Sequence, residues 1–192
     1  MKEILAKLEA ILLTIQHPFL RDSESSLSKE ELIHLFNANK LALNEELIDL
    51  YLWKGGLNGV SIYNDSYIEL CSYGCYIDCR SACSLYLLDR FSENELNGKL
   101  PIIQSDSGDF IAVDLNKKGT TNGQLFVSSP SITLSSEFVS IYDSIRNFLI
   151  TIIECYRLGA YKLSNNKLEV DYKLEAEISR KHNPNSDFWK EL

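Results

Sequence analysis

Leu100–Leu115 reads LPIIQSDSGDFIAVDL: an apolar run, a serine–aspartate–glycine turn, and a second run that alternates. Glycine supplies positive φ and aspartate caps the bend, so Leu100–Gln104 and Phe110–Leu115 are expected as strands joined through Ser105–Asp109. By period-2 alternation Ile111, Val113 and Leu115 share the core face, which leaves Phe110, Ala112 and Asp114 on the opposite, exposed one. Downstream, Asn122-Gly123 closes the next loop in hairpin fashion and Gln124–Ser128 returns as a further strand.

Upstream, Leu47–Gly59 reads LIDLYLWKGGLNG. Asn44 is a good cap for a helix over Glu45–Lys54 with Leu47, Ile48, Leu50 and Tyr51 inward, and Gly55 or Gly56 can take the closing left-handed position. Ser28 and Glu31 form a capping box for the helix before it, which carries Leu32, Ile33, Leu35 and Phe36. The N-terminal run Ile4, Leu5, Leu8, Ile11, Leu12, Ile15 recurs at helical spacing until Pro18. Glu3, Lys7 and Glu9 interrupt it, and no small-residue cleavage site follows, so a docked amphipathic helix is expected and not a signal peptide.

Strands are expected at Val60–Tyr63 and Ser66–Leu70, then a break at Gly74 and a helix over Asp78–Phe91. Ser140 and Asp143 look like a second capping box, leading into a helix striped by Ile141, Ile145, Phe148, Leu149, Ile152, Ile153 and Tyr156 and ended by Gly159. A short strand at Leu168–Tyr172 and a charged helix around Leu174–Lys181 lead to the stop at Asn183-Pro184. Helices first, strands in the middle and helices again favour an α+β domain with an antiparallel or mixed sheet over a βαβ array. At 192 residues one domain spanning 1–192 is expected, with a helical extension over 1–26 and a strand–helix tail over 164–192.

The chain holds 27 acidic and 19 basic residues, a net charge of −8. That sign repels nucleic acid and anionic lipid, both of which require clustered cations, and favours a basic protein surface as partner. No segment approaches a membrane span, so a cytoplasmic protein is expected. Five cysteines, an odd number, fit reduced thiols better than a disulfide framework.

Cys71, Cys75, Cys79 and Cys83 sit four apart and invite a zinc hypothesis. Gly74 parts a strand from a helix between them, so they are weak candidates, and small buried apolar side chains are the commoner role of cysteine. No cofactor is expected. His17, His34 and His182 are scattered, and no nucleophile elbow, dinucleotide or phosphate-loop pattern is present, so no enzyme is expected. Trp53 either fills the core behind the Gly-Gly stop or serves as an interface anchor.

Five segments in order resemble the SUKH (Smi/Knr-like) superfamily of bacterial immunity proteins and fungal cell-wall regulators. They are LNEELIDLYLWKGGLNG, IELCSYGCYIDCRSA, LPIIQSDSGDFIAVDL, the loop and strand ending at SSPS, and SIYDSIRNFLITIIECYRLGAY; the tail LEVDYKLEAEISRKHNPNSDFW also resembles that of a bacterial branch, so the resemblance covers the chain from about Leu43 onward. The family's recurring positions fall on Trp53, Gly55, Gly56, Leu100, Pro101, Gly108, Asp109 and Asp114. The resemblance implies a curved, mostly antiparallel sheet flanked by N- and C-terminal helices, without catalytic residues. It also implies a monomeric immunity protein that neutralises a cognate polymorphic or contact-dependent toxin, often a nuclease, by stoichiometric binding. The cysteine-rich stretch 71–83 is not a family hallmark. Contact with the toxin is expected from the acids Asp65, Glu69, Asp106 and Asp114 and the aromatics Trp53, Tyr63 and Tyr67. The alternatives are an intracellular adaptor like the fungal members and a zinc-dependent module.

Overall fold

The computed structural model describes residues 1–58, 68–89, 98–116, 121–129 and 138–190. The architecture is α+β. The described elements run α1 (Lys2–Thr14), α2 (Phe19–Asp22), α3 (Lys29–Ala38), α4 (Glu45–Trp53), β1 (Cys75–Tyr76), α5 (Cys79–Asp89), β2 (Lys99–Gln104), β3 (Phe110–Asp114), β4 (Leu125–Ser128) and β5 (Val139–Tyr142). Then follow α6 (Ile145–Leu158), β6 (Tyr161–Ser164), β7 (Lys167–Val170), α7 (Tyr172–His182) and a 3-10 turn, Phe188–Lys190. β1 to β5 form one antiparallel meander in chain order, and β6 and β7 form a separate two-stranded hairpin. The hairpin turns on Asn165 and Asn166, both at positive φ (50° and 62°), the conformation that asparagine tolerates best after glycine.

α6 organises the core. Ile145, Phe148, Leu149, Ile152 and Ile153 lie on one buried stripe, Ser144 accepts the Asn147 amide as N-cap, and Gly159 closes the helix at φ +83°. Each fully buried aliphatic side chain on that stripe contributes about 1.5–3 kcal/mol. α1 packs along α6 through Leu5, Leu8 and Leu12, and α7 packs beside it as well. One cluster of buried side chains runs from Leu5 to Trp189, so the N-terminal helix and the tail share the core of the sheet. No helix among the described residues is long and apolar enough to cross a membrane.

The local signals hold where the reach is short. Ser28 and Glu31 make both bonds of the capping box, and the Asn44 side chain accepts the Leu47 amide. Gly56 takes the positive φ (+86°), while Gly55 is where the chain passes the Glu24 and Ser25 carbonyls too closely for any Cβ. The turn 105–109 is built as read: Gly108 sits at φ +88°, and the Asp109 amide donates to Ser105 Oγ (3.0 Å).

Four readings are corrected. Ser140 caps no helix: it pairs with Phe126 inside β5, and the true cap is Ser144. Ser140 and Asp143 serve instead to bind the tail, through Asp187 and Asn185, so tertiary pairing overrides the local S-x-x-D pattern. Ile68–Leu70 is not a strand; the chain turns from Cys71 to Gly74 and only Cys75–Tyr76 joins the sheet. The rest of that expected strand and Val60–Tyr63 lie outside the described residues. The strand expected at Leu168–Tyr172 is Lys167–Val170, because Asp171 caps α7 and Tyr172 is its first residue.

Asp114, expected on an exposed face, is 3% exposed. Its Oδ1 accepts the Asn116 amide (2.8 Å) and its Oδ2 the Thr121 hydroxyl (2.5 Å), stapling the connection from β3 to β4. The second face of the sheet is covered too. Ala112 is wholly buried, and half-buried Phe126 and Phe138 hold the Lys99 ammonium 5.1 and 5.2 Å from their ring centres.

His17 is buried at the turn from α1 to α2, where its Nδ1 accepts the Phe19 amide (3.2 Å) and its ring meets Tyr156 edge-on. Burial pulls its pKa down to about 4, against the Glu69 backbone, which raises it. The unfolded chain therefore binds the extra proton first as pH falls. Stability carried by neutral His17 is present above about pH 6.5 and lost towards pH 4, roughly 3 kcal/mol in all. Glu69 and Glu175, both raised by burial, act in the opposite sense. Urea unfolding of wild type and His17→Asn across pH 4–7 isolates the histidine: the wild-type loss on acidification is expected to exceed that of the variant. Parallel curves would refute it.

Candidate functional site

Of the expected contact residues, Trp53, Glu69, Asp106 and Asp114 are among the described ones. Tyr63, Asp65 and Tyr67 lie outside the described residues. Trp53 is half-buried and committed to the fold: its Nε1 donates to Glu9 (3.0 Å), Lys54 pairs with the same carboxylate (3.2 Å), and its ring packs on Phe19. The Trp53 hydrogen bond is the main reason the Glu9 carboxyl lies below its ordinary range. Asp114 is structural, as shown above. Glu69 and Asp106 do come together. Asp106 is exposed at the turn between β2 and β3, and it adds to the burial that raises the half-buried Glu69 carboxyl; the Leu168 backbone and Lys167 act against that rise.

The clustered cysteines line the core. All five cysteines are free and buried. Cys71 lies in the turn before Gly74, Cys75 in β1, and Cys79 and Cys83 one helical turn apart on α5. The Cys83 hydrogen bond and burial push the Cys79 thiol up, while burial pushes Cys71 up and Cys155 to about 12. The same hydrogen bond with Cys79 lowers Cys83, against the effect of burial. Among the described residues, no three histidine, cysteine or carboxylate side chains are placed to hold a metal ion.

A site that the sequence reading did not find lies under the tail. α7 has Glu175, Ala176, Ile178 and Ser179 on its buried face, so a glutamate stands where an apolar side chain is expected. Glu175 is 2% exposed. Its Oε1 accepts the hydroxyls of Ser72 and of Tyr161, which come from the turn before β1 and from β6. Burial raises its carboxyl above the ordinary range, and the two hydroxyls pull it back. A cleft of ≈ 570 Å³ opens above it, between Ser72–Tyr73, α7 and the 3-10 turn. Tyr73 stands edge-on to Phe188 and Trp189, at 5.9 and 6.3 Å between ring centres. Arg180 reaches over to donate to the Trp189 carbonyl (3.4 Å). A carboxyl on the apolar stripe Leu174–Ile178 was the one local sign of this arrangement.

Charge is divided unevenly along the chain. Residues 21–116 hold 16 acidic and 7 basic side chains, and the remainder is close to balance. Glu30 and Glu31 on α3, Glu45 on α4 and Asp106 are exposed. Glu31 also meets Arg80 at 3.5 Å, an exposed pair of little energetic weight. No protein-family model and no curated protein matches this chain.

Proposed function

We propose that this chain is an immunity protein of the SUKH kind, which neutralises a toxin with a basic surface, such as a nuclease, by forming a one-to-one complex. It acts by occupying that surface and not by turnover. The observation that carries the reading is the charge division: the whole negative excess lies in residues 21–116, with Glu30 and Glu45 on the exposed sides of α3 and α4. A nuclease must present cations to its phosphate substrate, and an acidic inhibitor competes for that surface with steered, salt-sensitive association. The ordered resemblance from Leu43 onward supports the same reading.

The test pairs the chain with the basic toxin partner that tagged protein captures from the native host lysate. Full loss of toxin activity is expected at equal stoichiometry, with association slowed on the order of tenfold or more between low and high salt. The double variant Glu30→Lys with Glu45→Lys is expected to slow association by about tenfold at low salt and to cost only about 1–2 kcal/mol of stability, since both side chains are solvated but lie in first helical turns, where a lysine opposes the helix dipole. Suppression by far less than one equivalent would indicate turnover and sink the binding reading. Association indifferent to salt and to both reversals would sink the electrostatic one.

A further inference from the structure

Glu175 brings one unused oxygen to an aromatic cleft. Both hydroxyl donors fall on its Oε1, and Oε2 accepts no hydrogen bond among the described residues. The residue lines the cleft while 98% of it is withdrawn from water, as its 2% exposure requires. The two hydroxyls on Oε1 hold the carboxylate in place at the floor of the cleft.

The rest of the cleft fits a cation with an apolar stem. Tyr73 and Phe188 form its wall, and Tyr172, the first residue of α7, stands at the mouth with 70% of its surface exposed. Such a large ring left in water adds nothing to the core but extends the aromatic wall outward. Aromatic rings attract ammonium and guanidinium groups through their quadrupole. Lys173 and Arg180 flank the mouth, but both are exposed, and Glu177 stands beside them. A pair at a given separation interacts about fourfold more strongly at a protein site than through bulk water. The buried carboxylate at the floor therefore decides which charge the cleft accepts. A volume of ≈ 570 Å³ falls in the range of small-ligand sites.

We propose that the cleft between Ser72–Tyr73, α7 and the 3-10 turn binds an organic cation, an alkylammonium or alkylguanidinium group. The charged end meets Glu175 Oε2 and the stem lies along Tyr73, Tyr172 and Phe188. The source is either a small molecule or a lysine or arginine side chain of another protein. The charged residues of the site, Lys173, Glu175, Glu177 and Arg180, come from the charge-balanced part of the chain, and the site stands independently of the toxin reading.

Titration of the 15N-labelled full chain with butylammonium, butylguanidinium and the neutral butylurea tests it, reading the amides of Ser72, Tyr73 and Lys173 and the Trp189 indole. Both cations are expected to shift these signals saturably, with a dissociation constant on the order of millimolar, and butylurea is not. Glu175→Gln is expected to weaken the cations by about tenfold or more, and Tyr172→Ala by about threefold. Tyr172 is exposed, so its variant keeps the test valid even where Glu175→Gln fails to fold. Acetyl-Gly-Arg-Gly-amide binding about tenfold tighter than butylguanidinium would point to a protein side chain, and equal or weaker binding to a small molecule. No saturable shift with either cation, an equal response to butylurea, or a full response in both variants would overturn the proposal.

Discussion

Gly74→Ala is expected to destabilise the fold by about 2–5 kcal/mol, a large share of the total stability of a domain. Two causes add. The residue sits at φ +122°, a conformation that L side chains rarely adopt, and this costs about 1–2 kcal/mol. A Cβ would also stand 2.2 Å from the Gln104 carbonyl oxygen and 2.7 Å from its carbon. Both are backbone atoms of β2, and Cys75 pairs with Gln104 in the next ladder position, so the strands must part. That forced separation costs a further 1–3 kcal/mol or so. Gly108→Ala is the control. It has nearly the same strain, φ +88°, with nothing within 4 Å of the added carbon, and is expected to cost only about 1–2 kcal/mol. Urea midpoints of the two variants measure the difference. Equal losses would mean that close approach of β1 and β2 is not what Gly74 serves.

Trp189→Ala is expected to cost about 3–5 kcal/mol. The side chain is 2% exposed, and it packs against Tyr73, Tyr142 and Phe188. Its Nε1 donates to the Ile141 carbonyl at 2.8 Å, which ties the end of the chain to β5. Removal opens a cavity among three rings and leaves that buried carbonyl without its donor, a loss worth about 1–3 kcal/mol by itself. The neighbouring clasp does not compensate: Ser186 Oγ holds the Ser140 carbonyl, and the Asn183 side chain holds Thr151 and the Ser179 carbonyl. Trp53→Ala is expected to cost less, since Trp53 is only half-buried and its hydrogen bond goes to a partly solvated carboxylate. A Trp189→Ala variant within about 1 kcal/mol of wild type would show that the tail is an appendage and not part of the core.

The helices were legible because their signals lie within one turn of their own residues. The stripe from Ile145 to Ile153, the Ser28–Glu31 box, the Asn44 cap and Gly159 each involve partners three or four positions apart. Register errors arose where a local pattern had a distant competitor. Ser140 and Asp143 read as a cap, yet their polar groups are taken by Asp187 and Asn185, more than forty positions on. Asp114 read as exposed because alternation assigns one face to water, and here both faces of β3 are covered. The cysteine spacing of four invited a metal site, but the break at Gly74 already parted the four, and they do lie on a turn, a strand and a helix.

By itself the sequence determined the α+β class, the longer helices, the turn between β2 and β3 and the acidic excess of residues 21–116, all of which depend on local conformation or on composition. Only the tertiary structure decided that Glu175 meets Ser72, 103 positions away, and that Trp189 locks onto Ile141 beside an aromatic cleft. No local term rewards a glutamate on a buried helical face. Its partners are chosen when β6, α7 and the turn before β1 close on one another, and that closure is driven by the apolar surface they bury together.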